Sequence, residues 1–243
     1  MLNVQPIKTR ILQPPKDDLF EVIWNELKEL PERSVLAITS KVVSIHEGRC
    51  VAIDQVPDKN KLIKQEAERY SNEIHPLSDS IMLTIKHGLI TPFAGIDESN
   101  GNGHYILFPE NPQASAQTIW NWVNQTYGTK EFGVVITDSA MVPLRRGTIG
   151  IALGTWGFLP VKDYRGKPDL FDRPAKFSWL SVADTLASAA VLAMGEGNER
   201  TPLALITGDL PITFTDSNPE EHPDYLSPKI PPDEDMFSPI MKW

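Results

Sequence analysis

Val134-Val135-Ile136-Thr137-Asp138-Ser139 is the stretch whose reading decides the fold, together with the glycines that follow it at 147, 150, 154 and 157. Three consecutive branched apolar residues predict a short buried strand, and Thr137-Asp138-Ser139 reads as a polar step just past its end. Glycine at that density argues against a helix. It predicts strands with bulges, or backbone that comes close to a neighbour. Upstream, residues 113–127 predict a helix anchored by Ile119, Trp122 and Val123. Downstream, residues 178–194 predict an Ala-rich helix with a wide apolar face, Gly195 placed to cap it, and a last strand over 203–206.

Further out, residues 4–12 predict a strand. Residues 17–30 predict a helix with Leu19, Ile23, Leu27 and Leu30 on one face and Pro31 as its stop. Val35-Leu36-Ala37-Ile38 predicts a buried strand ending at Thr39-Ser40-Lys41. Residues 59–70 predict a charged surface helix, and residues 81–85 a strand. No internal repeat is visible. From Asp209 onward the chain holds seven of its 21 prolines and eight acidic residues against only Lys229 and Lys242. That predicts an irregular, proline-rich acidic arm over residues 209–243, distinct from a domain over 1–208, with Phe214, Tyr225, Phe237 and Trp243 available to dock on a surface.

The 243 residues carry a net charge of −9, with Arg145-Arg146 the only basic cluster. Nucleic acid is therefore not an expected partner. The single cysteine, Cys50, sits in an apolar alternation and reads as a packed strand residue in a reducing compartment. The start of the chain lacks the pattern of a secretory signal, and no apolar run approaches the roughly 18 residues of a membrane span. A cytoplasmic location away from membranes is expected.

Four polar constellations carry candidate chemistry. Ala94-Gly95-Ile96-Asp97-Glu98-Ser99-Asn100-Gly101-Asn102-Gly103 offers carboxylates, a hydroxyl and amides suited to a hard cation, or else a polar turn. Asp138 stands at the end of a buried strand, a usual place for a ligand group in an α/β site. Met194-Gly195-Glu196-Gly197-Asn198-Glu199 is a glycine-rich acidic loop after a helix, where backbone amides can approach phosphate. Arg145-Arg146 and Asp163-Tyr164-Arg165-Gly166-Lys167 supply cations for phosphate or carboxylate, or surface ion pairs. There is no phosphate-binding P-loop, no Gly-x-Gly-x-x-Gly after a strand, no Gly-x-Ser-x-Gly elbow and no His/Cys zinc spacing. His87 is the one histidine in a candidate region and reads first as structural. Carboxylate loops with Arg pairs point to oxygen-ligated Mg²⁺ or Mn²⁺ and a phosphate-bearing substrate.

Taken in order, these stretches resemble the coenzyme F420-0:L-glutamate ligase family. The matching blocks are Ile38-Thr39-Ser40-Lys41-Val42-Val43-Ser44 with Glu47-Gly48-Arg49; His87-Gly88 with Ala94-Gly95-Ile96-Asp97-Glu98-Ser99-Asn100; Val135-Ile136-Thr137-Asp138-Ser139; and a last block running from Gly150 through Asp163-Tyr164-Arg165-Gly166, Asp169-Leu170 and Val182-Ala183-Asp184 to Met194-Gly195-Glu196. The resemblance implies an α+β fold of mixed sheets with outer helices, an intertwined homodimer, and the apolar stretch 149–159 at the dimer contact. It implies two divalent ions: Asp97 and Asp138 as ligands of one, Ser139 and Glu196 of the other. It implies nucleotide contacts, GTP or ATP, at Arg10, Ile11, Leu12 and Gln13, at Ser40, Lys41 and Asn100, and along Met194, Gly195, Glu196, Gly197, Asn198, Glu199, Arg200 and Thr201. The implied reaction activates an acceptor carboxylate as an acyl phosphate and forms an amide with L-glutamate; no catalytic acid or base is assigned.

The departures bear on the acceptor. Where the family motif runs Phe-Gly-Arg-Pro, this chain has Ala140-Met141-Val142-Pro143; the second Lys after Ser-Lys is Ile45, beside His46; and the Gly of a Gly-Arg pair is Asp172, before Arg173. Fewer cations suit a phosphodiester acceptor less well, so the expected acceptor is a folate, as in a bacterial branch of the family. Met141 and Val142 would form an apolar wall, and Arg145 or Arg146 would take a carboxylate. Coenzyme F420-0 is the alternative acceptor. Other readings are a nucleotide-binding protein without ligase activity and an interaction module working through the proline-rich arm.

Overall fold

A computed structural model describes residues 1–72 and 81–240; Trp243 lies outside the described residues. In chain order the first elements are β1 (Asn3–Ile7), α1 (Leu19–Glu26), β2 (Ser34–Thr39), α2 (Ser40–Glu47), β3 (Cys50–Ala52) and α3 (Lys59–Glu66). Then come β4 (Arg69–Tyr70), β5 (Leu83–Lys86), β6 (Leu89–Pro92), β7 (His104–Ile106) and α4 (Pro112–Tyr127). The last are β8 (Phe132–Met141), β9 (Thr148–Trp156), β10 (Val161–Asp163), β11 (Trp179–Ser181), α5 (Val182–Met194) and β12 (Leu203–Thr207). The chain forms two compact units. The first is Met1–Arg10, Phe20–Thr39 and Asn111–Pro228; the second is Ile11–Leu19, Ser40–Glu110 and Lys229–Trp243.

The first unit is built on a five-stranded sheet in the order β1-β12-β2-β8-β9. Only β2 and β8 run parallel; the other pairs are antiparallel. This is the mixed α+β sheet expected. Every residue of Val35–Ile38 and Val134–Ile136 is fully buried, so the strands read as continuous apolar runs. Val35, Ala37, Val135, Ala204 and Ile206 pack with Val182, Ala183, Leu186, Ala187 and Ala190 of α5 in one core cluster. On α4, the Trp120 indole donates to the Phe132 carbonyl at 3.0 Å and stacks on the Phe132 ring with centroids 5.0 Å apart. Trp122, the half-buried anchor of that helix, stacks on Phe20 at 4.7 Å.

The strand β8 does not end at Ile136. It runs on through Thr137, Asp138 and Ser139 to Met141, because β9 keeps pairing with it: Asp138 opposes Ile151 and Ser139 opposes Gly150. The register shifts between Ile136 and Thr137, where Gly154 and then Ala152 are the partners, leaving Leu153 as the extra residue of a bulge. One extra residue reverses which face the following side chains occupy. Gly150 and Gly154 therefore face opposite sides despite their even spacing. A Cβ on Gly150 would lie 2.3 Å from the Ala187 carbonyl oxygen of α5, and one on Gly154 would lie 2.3 Å from the Pro112 carbonyl oxygen of α4. Close backbone approach is the reason for glycine at both places.

Other element ends differ from the sequence pattern for local reasons. Helix α1 starts at Leu19, because the Asp17 carboxylate accepts from the backbone amides of Gln13 and Asp18. It stops at Glu26, where the Tyr127 hydroxyl takes the Leu27 carbonyl at 2.8 Å. Its expected apolar face is buried at Leu19, Ile23, Leu27 and Leu30. Helix α3 gives way after Glu66, because Arg69–Tyr70 pairs with β5. Helix α5 begins at Val182, since Trp179–Ser181 pairs with β10 and the Ser181 hydroxyl caps the helix at the Asp184 amide. Strand β1 ends at Ile7, opposite Leu203. Strand β5 covers Leu83–Lys86.

In the second unit, β4-β5-β6 and β3-β7 form two small sheets. Ile63 of α3 packs with Ala94, Ile96, Tyr105 and Leu107. Of the residues after Asp209, Leu210, Ile212 and Phe214 join the core of the first unit, while Phe237 is 57% exposed. Among the described residues no helix is long and apolar enough to cross a membrane.

Candidate active site

Strands β2 and β8 are parallel and in register through Thr39 and Thr137, so their C-terminal ends lie at one edge of the sheet. Helix α5 returns to that edge and ends in the loop that leads to β12. Gly195 caps the helix at φ 82°, its amide donating to the Val191 carbonyl. The loop folds back on itself: the Thr201 hydroxyl donates to the Met194 carbonyl at 2.5 Å, and the Gly197 amide donates to the Glu199 carboxylate at 2.8 Å. Hydrogen bonds then tie it to its neighbours. The Thr9 amide donates to the Arg200 carbonyl at 2.9 Å, the Arg200 guanidinium returns a bond to the Thr9 carbonyl at 2.9 Å, and the Thr39 amide donates to the Pro202 carbonyl at 2.9 Å. Three stretches far apart in sequence, around Arg10, before Ser40 and over Met194–Thr201, thus meet within the first unit.

At the same edge the Ser139 hydroxyl donates to the Glu196 carboxylate, 2.6 Å and 2.8 Å from its two oxygens, and the Thr148 hydroxyl reaches Glu196 at 3.3 Å. Ser139 lies opposite Gly150, on the face that meets α5. That register is what lets a strand hydroxyl reach the carboxylate beyond the helix end. Glu196 is exposed and has no cationic partner among the described residues. Ser139 and Glu196 were paired by the family resemblance; Thr148 was not anticipated. Its only sequence signal is a hydroxyl two residues before Gly150, across from Met141.

The other anticipated residues of the first unit are spread more widely. Asp138 is half-buried on β8, on the face opposite Ser139. Arg10 pairs with Glu21 at 3.2 Å. Asn198 is exposed in the α5–β12 loop. Met141, Val142, Arg145 and Arg146 form the exposed turn between β8 and β9, where the Arg145 amide donates to the Val142 carbonyl at 3.2 Å. Asp172, in the family's glycine position, has φ 59°. The left-handed backbone explains glycine there, and Asp is among the side chains that tolerate it.

The second unit holds an ion pair of its own. The Lys41 ammonium lies 2.6 Å from the Asp97 carboxylate and also donates to the Ser99 carbonyl and hydroxyl at 3.1 Å and 3.0 Å. The Ser99 amide donates back to Asp97 at 2.7 Å. Burial pushes the Asp97 carboxyl up, but the Lys41 hydrogen bond and charge, with the bonds from Ser99, outweigh it and hold the group below the usual carboxylate range. The sequence reading gave Lys41 and Asp97 separate roles; their pairing is a finding of the structure. Ser40 is buried at the first turn of α2, and Asn100 sits in a left-handed turn at φ 57°. Ile11 is exposed, Leu12 is buried, and the Gln13 amide donates to Asp17. The His87 Nε2–H donates to the Pro109 carbonyl at 3.0 Å, and burial, then the Lys86 charge, lowers its pKa. It is a structural histidine. Burial likewise raises the pKa of Cys50, which keeps it a thiol.

No three His, Cys, Asp or Glu side chains of the described residues cluster as a metal site. The donors that do come together are all oxygen: a carboxylate with two hydroxyls at Glu196, and a carboxylate with a serine at Asp97. That chemistry suits a hard divalent cation and not a thiophilic one.

An α+β protein with an exposed carboxylate, hydroxyls and a looped helix terminus gathered at the ends of parallel strands is the class this geometry defines. The chain belongs to the family described as F420-0:Gamma-glutamyl ligase, whose model matches residues 6–208. A coenzyme F420:L-glutamate ligase of Methanopyrus kandleri is 34% identical over 222 residues, which cover 85% of this chain and 87% of the relative. Enzymes of the same name from Methanococcus maripaludis and Methanocaldococcus jannaschii are 34% identical over 205 residues and 32% identical over 192. These cover 79% and 74% of this chain, and 82% and 77% of the relatives.

Proposed function

We propose that this chain is a nucleotide-dependent γ-glutamyl ligase whose acceptor is coenzyme F420-0. The observation that carries the reading is the meeting of the Thr9–Arg10, Thr39 and Met194–Pro202 backbones beside the Ser139–Glu196 pair, in a chain whose relatives bear the name coenzyme F420:L-glutamate ligase. In the reaction, an oxygen of the acceptor carboxylate takes the terminal phosphoryl group of GTP, and GDP departs. The amine of L-glutamate then attacks the acyl carbon, orthophosphate leaves, and the amine gives up a proton as the amide forms. Phosphoryl transfer of this kind is served mainly by positioning and charge neutralisation. Glu196 with Ser139 would hold one divalent ion; Mg²⁺ or Mn²⁺ bound there would supply the neutralisation of phosphate charge that an acidic protein otherwise lacks. The backbone of the Met194–Thr201 loop offers amides to the nucleotide, and its internal bonds hold those amides in place before binding.

A folate acceptor is the second reading. It is favoured by Met141 and Val142, 59% and 37% exposed at the end of β8 where the family motif carries an arginine. A homodimer is part of the proposal. The first unit exposes Met141, Leu144, Ile149, Phe171, Phe177 and Leu192, an amount of apolar side chain that association would cover. Sedimentation at micromolar concentration tests it, with a monomer as the contrary result. The test of function is incubation with L-glutamate, Mg²⁺ and GTP or ATP, with F420-0 in one arm and a reduced folate monoglutamate in the other, read by mass spectrometry. One added glutamyl residue on F420-0 supports the proposal. Addition only to the folate moves it to the second reading, and addition to neither removes both.

A further inference from the structure

A cavity of about 550 Å³ lies in the first unit between β10, the turn that follows it, and the chain after β12. Its size is in the range of small-molecule sites. One wall comes from the tail beyond residue 208, where the family match ends. That wall is fixed to the unit by backbone bonds: the Leu159 amide donates to the Thr213 carbonyl and the Thr215 amide to the Gly157 carbonyl, both at 2.9 Å. Further along the tail, Asp224, Tyr225 and Leu226 also line the cavity.

The lining combines charged and apolar side chains. Arg165 and Asp163 neutralise each other through a fork, with guanidinium nitrogens 2.9 Å and 2.6 Å from one carboxylate oxygen. Lys162 and Lys167 have no carboxylate within ion-pair distance among the described residues; Lys162 only approaches the Pro211 carbonyl at 3.5 Å, and both ammonium groups lie 5.4 Å from the Tyr164 ring centre. Besides Asp163, the lining carries one further carboxylate, Asp224. Burial, with the nearby Glu220 charge and against a Ser227 hydrogen bond, raises the pKa of the Tyr225 phenol, which therefore stays a hydrogen-bond donor. Val182, Ile212 and Leu226 form the apolar wall.

We propose that this cavity is a second binding site, for a small organic dianion whose two negative charges meet Lys162 and Lys167 and whose carbon body lies on Val182, Ile212 and Leu226. It is separate from the Ser139–Glu196 pair within the unit. Val182 is the first residue of α5 and Glu196 stands two residues beyond its last, so at about 1.5 Å per residue the two lie roughly 20 Å apart. Dicarboxylates and phosphomonoesters share the required chemistry.

The test is calorimetry on the full chain with glutarate and with phenyl phosphate as separate probes. Binding of either is expected, weakened about tenfold or more in Lys162→Gln/Lys167→Gln and strengthened in Asp224→Asn, since a charged hydrogen bond is worth about that factor. The probe that binds more tightly identifies the anion class. Absence of binding by both, or affinity unchanged in the lysine variant, overturns the proposal. Should the lysine variant fail to fold, Asp224→Asn decides alone: tighter binding sustains the site, and unchanged or weaker binding overturns it.

Discussion

The two units hold their key carboxylates in opposite ways. Asp97, in the second, is half-buried and already neutralised by Lys41 at 2.6 Å. Glu196, in the first, is exposed and receives only hydroxyls, from Ser139 and Thr148. An arriving cation must displace an ammonium at Asp97, whereas at Glu196 it meets an unneutralised charge. Glu196 is therefore the carboxylate whose charge no cation balances, and Asp97 the one whose charge is partly spent on its own unit.

The largest expected effect follows from removing the spare charge. Glu196→Gln should lower turnover by about 10²- to 10³-fold, the scale of losing one group that stabilises transition-state charge. The fold should survive, since Glu196 is exposed; a melting curve alongside steady-state rates checks both. Near-normal turnover would place the chemistry elsewhere.

A geometric break comes next. Gly150→Ala puts a methyl 2.3 Å from the Ala187 carbonyl, so α5 must shift from β9, and Ser139 must lose its alignment with Glu196. A cost of about 1–3 kcal/mol in stability is expected, read by denaturant titration, with turnover falling as well. Gly147→Ala, where the added carbon meets nothing within 4 Å but φ is 93°, should cost less, about 1 kcal/mol.

Ser139→Ala sharpens the comparison. It leaves Thr148 on Glu196, and about a tenfold loss in turnover is expected. A loss as large as that of Glu196→Gln would mean that the hydroxyl, not the charge, matters most.

The smallest effect is on the other side of the comparison. The lowered pKa of Asp97 contributes stability that is present above the ordinary carboxylate pKa and is lost as pH falls through the lowered value. The pair is 24% and 43% exposed at Lys41 and Asp97, so after solvent screening its worth is at most about 1 kcal/mol. Asp97→Asn should lower the melting temperature slightly near neutral pH, and the gap to wild type should close below about pH 4. A gap that widens in acid would reverse the sign of the argument.

The core sheet was legible because its strands are buried on both faces and read as unbroken apolar runs: Val35–Ile38 and Val134–Ile136 needed no partner to be recognised. The glycines at 150 and 154 were legible as close approaches, but which helix each meets depends on the bulge at Leu153, which no local pattern announces. Asp138 and Ser139 read as a loop because polar residues usually end a buried strand, and only pairing with β9 keeps them extended. Helix ends were lost to side chains arriving from afar, as when the Tyr127 hydroxyl takes the Leu27 carbonyl. Within the site, the Ser139–Glu196 association rested on the family motif, while Thr148 and the Lys41–Asp97 pair carry no spacing signal, since their partners lie 48 and 56 residues away. Phe214 packs against the core together with Leu210 and Ile212, a surface that the tail's own prolines and acids do not specify.

The most direct test of the account is the product formed by wild type and Glu196→Gln from F420-0, L-glutamate, GTP and Mg²⁺, followed by mass spectrometry with GDP release measured in parallel. The account predicts one GDP per glutamyl residue added by wild type and about a hundredfold less of both with the variant. Glutamyl addition that proceeds equally well in Glu196→Gln, or GDP release by wild type without any glutamyl product, would contradict it.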